Sequence, residues 1–204
     1  MDSQQRNDTF KSISGPSEGL YKEKGSKFLA FAYPVVSEEE VRTVLDRIRK
    51  EYYDARHHCY AYRLGLTGNV WRYNDDGEPS STAGRPIYGQ ILSRELSDVL
   101  IVVVRYFGGT KLGVPGLIRA YKTAAADALD HARTVEKVAS ERYAVTFDYV
   151  AMDRVMRILK DMAIQPSGYT AEDACRMEMD VRLGDAERFR QRMEDAEARV
   201  EKIF

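Results

Sequence analysis

The stretch that most constrains this chain runs from Val99 to Tyr121, VLIVVVRYFGGTKLGVPGLIRAY. Its opening run, Val99 to Val104, is apolar and rich in β-branched residues. A run that short with that composition predicts a strand buried on both faces. Arg105, Tyr106 and Phe107 end it. Gly108 and Gly109 then allow backbone angles that other residues resist. Lys111 follows, and Gly113 and Pro115 open a helix, with proline near the first turn where its missing N–H costs least. Strand, glycine loop and helix N-terminus in succession aim several N–H groups and a helix dipole at one place, where an anion could sit.

With 204 residues, 44% of them hydrophobic, the chain can build one large domain or two small ones around a proper core. A net charge of -1 excludes any argument from overall basicity, so nucleic-acid binding needs a local basic patch. The N-terminus, MDSQQRNDTF, lacks the apolar core of a signal peptide. No apolar run approaches a membrane span. Cys59 and Cys175 stand far apart with no CxxC pair, which fits reduced thiols. These features predict a soluble, cytoplasmic protein with no membrane partner, and they leave the oligomeric state open.

Along the chain, residues 1–13 read as loosely ordered. Two β-like runs between Leu20 and Val36 flank a turn at Glu23–Ser26, where Gly25 suggests a hairpin. Ser37 with Glu40 is a capping-box signal, and Val41, Val44, Leu45 and Ile48 then form one helical stripe. Strands are expected over 55–64 and 69–73. Residues 74–86, NDDGEPSSTAGRP, form a loop long enough to be functional. Pro86 opens a helix through Ile87, Ile91 and Leu92. The helix after the glycine loop buries Leu117, Tyr121, Ala124, Ala125 and Ala128 and exposes Arg119 and Lys122. Beyond Arg133 the pattern restarts as β-α-β-β-α-β, the ferredoxin-like order. Its first helix carries Met152, Val155, Met156, Leu159 and Met162; its second, capped at Gly184-Asp185, carries Ala186, Phe189, Met193 and Ala196. The boundary falls near 136–141, giving domains 1–136 and 141–204.

Several groups have chemistry to offer. The glycines at 108, 109, 113 and 116 match neither the Walker pattern nor GxGxxG, and Gly113–Gly116 is only formally a GxxG. They serve either tight packing or a ligand. Arg105, Lys111, Arg119 and Lys122 bring positive charge to the helix N-terminal region. His57 and His58 should point to opposite faces of a strand, which argues against a shared metal ion; one is packed and the other faces a cleft. Asp75, Asp76 and Glu78 surround Gly77 and fit a turn better than a metal or acid–base site. Ser80, Ser81 and Thr82 offer hydroxyls without an assignable base. Trp71 and the tyrosines are read as sheet packing rather than base stacking. No metal or cofactor is expected.

The set HHCYAY (57–62), NDDGEPSSTAGRP (74–86) and VVVRYFGGTKLGVPGLIRAY (102–121) resembles the IMPACT/YigZ family. Ser81 departs from that family's GEPSGTAG, which hints at a different loop backbone. The resemblance implies an α+β protein of two domains. The first would have the β/α fold of the second domain of ribosomal protein S five, and the second would be ferredoxin-like, as at the C-terminus of elongation factor EF-G. It also implies a link to translation: eukaryotic members bind an activator of a stress kinase that phosphorylates an initiation factor. Bacterial members lack that pathway, and their fold suggests nucleic-acid binding. The matching positions are His57, Asp76, Glu78, Arg105, Gly108, Gly109, Lys111, Gly113 and Arg119, none of them an established catalytic residue.

Three functional expectations follow. The first is a translation-associated binding protein, with RNA or a ribosome-associated factor as partner. In it, an anion cleft would be formed by Arg105, Gly108, Gly109, Lys111, Gly113, Arg119 and Lys122, flanked by His57, Asp76, Glu78, Ser80 and Thr82. The second is an enzyme acting on a phosphorylated small molecule, with Asp76 or Glu78 holding a metal or serving as base. The third is a protein-interaction module without a small ligand.

Overall fold

The computed structural model describes residues 8–171 and 174–203 and divides into two compact units, Phe10–Lys137 and a second built from residues 138–203 together with residues 8–9. In chain order the first contains β1 (Thr9–Ile13), β2 (Ser17–Glu23), β3 (Ser26–Pro34), α1 (Glu38–Glu51), β4 (His57–Leu64) and β5 (Val70–Asn74). It continues with α2 (Gly84–Ser93), β6 (Val99–Tyr106), α3 (Gly113–Asp130) and β7 (Thr134–Val138).

Five strands form an antiparallel sheet in the order β2-β3-β6-β4-β5, which places the apolar run at its centre. Every residue from Val99 to Val104 is fully buried. Because side chains alternate along a strand, the odd positions Val99, Ile101 and Val103 join the core under α2 and α3. The even positions Leu100, Val102 and Val104 pack under α1 with its stripe Val41, Leu45 and Ile48. The sheet is therefore covered on both faces, as its unbroken hydrophobicity demands. Helix α1 starts where the sequence signals it: Ser37 Oγ accepts from Glu40 N–H at 3.2 Å, while Glu40 reaches back to Val36 N–H at 2.8 Å. The expected stripe of α3 is buried in full.

The first loosely ordered stretch needs correction. Residues 1–7 lie outside the described residues, but Thr9–Ile13 is a strand paired with β7. Ser97 N–H bonds to Lys11 O at 2.8 Å, and Ser12 Oγ to Asp98 O at 3.1 Å. These partners lie more than 80 residues away, so no local pattern announces the strand. Strand β7 also runs through 134–138, where the sequence suggests the start of a boundary.

The second unit comprises β8 (Ser140–Phe147), α4 (Met152–Asp161), β9 (Pro166–Ala171), β10 (Cys175–Arg182), α5 (Ala186–Asp195) and β11 (Arg199–Ile203). Its antiparallel sheet has the order β11-β8-β10-β9, so the first and third strands lie in the middle. This is the ferredoxin-like arrangement that the sequence predicts. Phe189 and Met193 of α5 and Val155 and Leu159 of α4 fill its core. Met156, expected in the α4 stripe, is exposed instead. Asp185 makes no side-chain cap to α5; a short 3-10 turn, Leu183–Asp185, leads into the helix.

Within this unit Asp8 accepts both Arg182 Nε and Nη2 at 2.6 Å, and Gly184 N–H at 3.1 Å. The Arg182 hydrogen bonds hold its carboxyl down at about 2 against an ordinary 3.8. A carboxyl depressed in the folded state stabilises above its unfolded pKa and loses that contribution as pH falls toward the folded value. Acid titration followed by circular dichroism should therefore show stability falling between the ordinary carboxylate range and about pH 2. Asp8→Asn should lack that component. In the first unit, a Cβ on Gly19 would lie 2.3 Å from Ala128 N, so β2 and α3 touch backbone to backbone there. Gly19→Ala should cost about 1–3 kcal/mol in urea unfolding, whereas Gly15→Ala, which meets open space, should stay within about 0.5 kcal/mol.

Candidate functional site: a cleft at the end of the central strand

Arg105 is the odd-numbered position that follows Val103, so it lies on the face covered by α2 and α3, where an apolar residue would continue the pattern. It pairs in register with Phe28 of β3 and His57 of β4. Only 7% of it is exposed. Such a burial requires a counter-charge, and Glu78 from the 74–83 loop supplies it: Arg105 Nη1 donates to Glu78 Oε1 at 2.6 Å. The same oxygen accepts from Tyr121 Oη at 2.7 Å. Burial, then the nearby Cys59 and Glu78, push the Tyr121 phenol well above its usual range, so it stays a donor. Burial likewise pushes the Cys59 thiol up, and its Sγ–H donates to Asp75 O at 3.0 Å.

The loop that delivers Glu78 is built by Asp75. One of its oxygens accepts from Ala83 and Gly84 N–H at 3.0 and 2.8 Å, tying down the start of α2, and the other accepts from Ser81 N–H at 2.9 Å. Asp76 holds the opposite side. Its Oδ2 accepts His58 N–H at 2.6 Å, and its carbonyl meets His57 Nδ1 at 2.8 Å. Ser81 stands at φ 62°, so at the position where the family pattern has glycine the backbone takes the left-handed form that glycine favours. Thr82 is buried and donates to Pro79 O at 2.6 Å.

A cleft of about 520 Å³ opens beside this assembly. It is lined by Arg56, His57, Glu78 and Pro79, then by Arg105 and Phe107, and by residues 111–114 and Leu117. Three features favour an anion there. Lys111 and Arg56 are exposed cations at its rim. Helix α3 begins against it with no side-chain cap and no acidic residue in its first turn, leaving its N–H groups and dipole uncompensated. Arg105 Nε is buried and has no hydrogen-bond partner among the described residues. Buried donors of that kind are uncommon and call for an acceptor.

Of the residues expected at the site, His57, Glu78, Arg105, Lys111 and Gly113 line the cleft. The others do not. Arg119 is exposed and pairs with Glu23 on β2, because its position on α3 faces the sheet edge. Lys122 is exposed on the same outer side of the helix. Gly108 serves packing: a Cβ there would lie 1.9 Å from the Gly25 carbonyl carbon. Gly109 provides a positive φ of 87° for the loop. Ser80 is exposed at the loop tip, away from the lining. Asp76 is outside the lining residues, and its Oδ2 accepts from His58 N–H. The sequence pattern does not mark Phe107 or Arg56 as lining the cleft, or Tyr121 as a partner of Glu78. Tyr121 reads as one more member of an apolar stripe, and only its hydroxyl sets it apart. Trp71, half exposed, stacks on Tyr88 with ring centroids 5.1 Å apart.

The fold and cleft define a two-domain α+β protein with a built polar site in its N-terminal unit. Residues 24–129 match the Impact N-terminal domain family. The chain is 37% identical over 136 residues to IMPACT family member YvyE of Bacillus subtilis, covering 67% of this chain and 63% of that protein. It is 49% identical over 107 residues to an IMPACT family member of Thermus thermophilus, covering 52% and 56%. It is also 32% identical over 138 residues to YigZ of Escherichia coli, covering 67% and 68%. The aligned segments thus span less than two thirds of the Bacillus and Thermus relatives. A crystal structure of a hypothetical protein superposes with a TM-score of 0.74 at 24% identity, over 97% of this chain and 98% of that one. The chain belongs to the IMPACT family. Among the described residues no helix is long and apolar enough to cross a membrane.

Removing one partner of a buried ion pair strands the other charge, at a cost of about 3–5 kcal/mol. Glu78→Ala should lose that much in chemical unfolding. Tyr121→Phe, which removes one buried hydrogen bond, should lose only about 0.5–1.5 kcal/mol.

Proposed function

We propose that this protein is a translation-associated regulatory protein whose N-terminal unit binds a phosphate-bearing ligand in the cleft beside Arg105. The regulatory half of the reading comes from its family: the resemblance links IMPACT proteins to translation, and the matched segment contains every residue of the cleft. The chemical half rests on one observation, the buried and unpartnered Nε of Arg105. Glu78 balances the charge of Arg105, so the donor stays oriented, while Arg56, Lys111 and the start of α3 supply the attraction that remains. An oxyanion fits that set, since guanidinium and backbone N–H groups both donate to it.

Binding of inorganic phosphate and of a short single-stranded RNA, measured at several salt concentrations, tests the reading. Both should bind, and RNA affinity should fall with salt because phosphate contacts release counterions. Lys111→Glu should weaken both by about tenfold or more and flatten the salt slope. Arg119→Glu, outside the cleft, should leave both unchanged. Absence of phosphate binding, or equal sensitivity to the two variants, would contradict the cleft as the site.

A further inference from the structure

We propose that the cleft is selective for a nucleoside monophosphate, with His57 Nε2 as the acceptor that reads the nucleoside; this rests on the anion-binding reading above. His57 Nδ1 lies 2.8 Å from Asp76 O. A carbonyl oxygen only accepts, so Nδ1 carries a proton, and in that tautomer Nε2 is the ring's lone-pair acceptor. No group among the described residues bonds to Nε2, and it is not a buried orphan. It is an open acceptor on a ring that lines the cleft.

The remaining wall is apolar: Pro79, Leu112, Val114 and Leu117, with Phe107 more than half exposed beside them. The Arg105 guanidinium carbon lies 5.7 Å from the centre of the Phe107 ring, so the exposed aromatic sits next to the orphan donor. A bare oxyanion would use Arg105, Lys111 and the α3 N-terminus and leave both the apolar wall and Nε2 unused. A polynucleotide would need a groove that continues past a single residue, whereas a cavity of about 520 Å³ lies in the range of small-molecule sites. The ligand that uses every element has a phosphate, a flat ring to lie on Phe107, and an N–H or O–H to donate to Nε2. A nucleoside monophosphate has all three.

Titration of the full chain with inorganic phosphate, phenyl phosphate and adenosine 5′-monophosphate separates the contributions. Phenyl phosphate should bind about tenfold tighter than inorganic phosphate, and the nucleotide about five- to tenfold tighter again, one added hydrogen bond being worth that much. His57→Phe should bring the nucleotide down to the level of phenyl phosphate and leave the other two unchanged. His57→Gln, which can place an amide oxygen near the same point, should recover part of the loss. In the unsubstituted protein, the His57 Nε2 nitrogen resonance should shift on adding the nucleotide and stay in place on adding phenyl phosphate, a readout independent of any variant's folding. The proposal is overturned if the nucleotide binds no tighter than inorganic phosphate, or if His57→Phe weakens all three alike. RNA that binds without being displaced by the nucleotide also overturns it, while leaving the anion cleft in place. If inorganic phosphate itself does not bind, both readings fall.

Discussion

The ion pair between Arg105 and Glu78 organises the N-terminal unit. It joins the end of the central strand to a loop that is otherwise almost devoid of apolar side chains and so has little hydrophobic reason to settle on the sheet. Two charges this deeply buried cost several kcal/mol each in lost hydration, and the attraction between them repays this only with close geometry and further hydrogen bonds. Both are present: a 2.6 Å contact and a third partner, Tyr121, on the same carboxylate oxygen. The arrangement gives Arg105 a counter-charge in Glu78 while leaving one of its N–H groups, Nε, without a partner among the described residues. A fully satisfied arginine would be a structural plug. In the proposed reading this one is a donor held in place for a ligand.

Much of the fold is legible in the sequence because its signals are local. The apolar run at 99–104, the Ser37 cap, the stripe of α3 and the β-α-β-β-α-β order each depend on residues within one element or its neighbours. Strand β1 is not legible, since its partners are β7 and the segment near Leu96, far along the chain. The site is legible only in part, for a related reason. The sequence shows that cations gather near the start of α3 but not which of them face the cleft. Lys111 and Arg119 look equivalent as letters, yet one sits on the loop at the rim and the other pairs with Glu23 across the sheet edge. Asp75, Asp76 and Glu78 look like one acidic cluster, yet they point three ways: to the start of α2, to β4 and to Arg105. Even the glycines divide, Gly108 making room for the Gly25 turn and Gly113 lining the cleft.

These divisions bear on the proposed function. Arg119 and Lys122 lie outside the residues that line the cleft. What remains is compact, with an apolar wall, one oriented histidine, one orphan arginine donor and a helix N-terminus. All of it lies within the segment that matches the IMPACT N-terminal domain. The ferredoxin-like unit assembles around its own core of residues such as Tyr143, Val155, Met179 and Phe189.

The central claim is that Arg105 Nε waits for an anionic acceptor, and the most direct measurement is the Nε–H resonance of Arg105 itself during titration with inorganic phosphate. The account predicts a saturable downfield shift of that resonance, the mark of a new hydrogen bond to an oxyanion. An Arg105 resonance that stays in place while phosphate binds, or while phosphate reaches high excess, would contradict it.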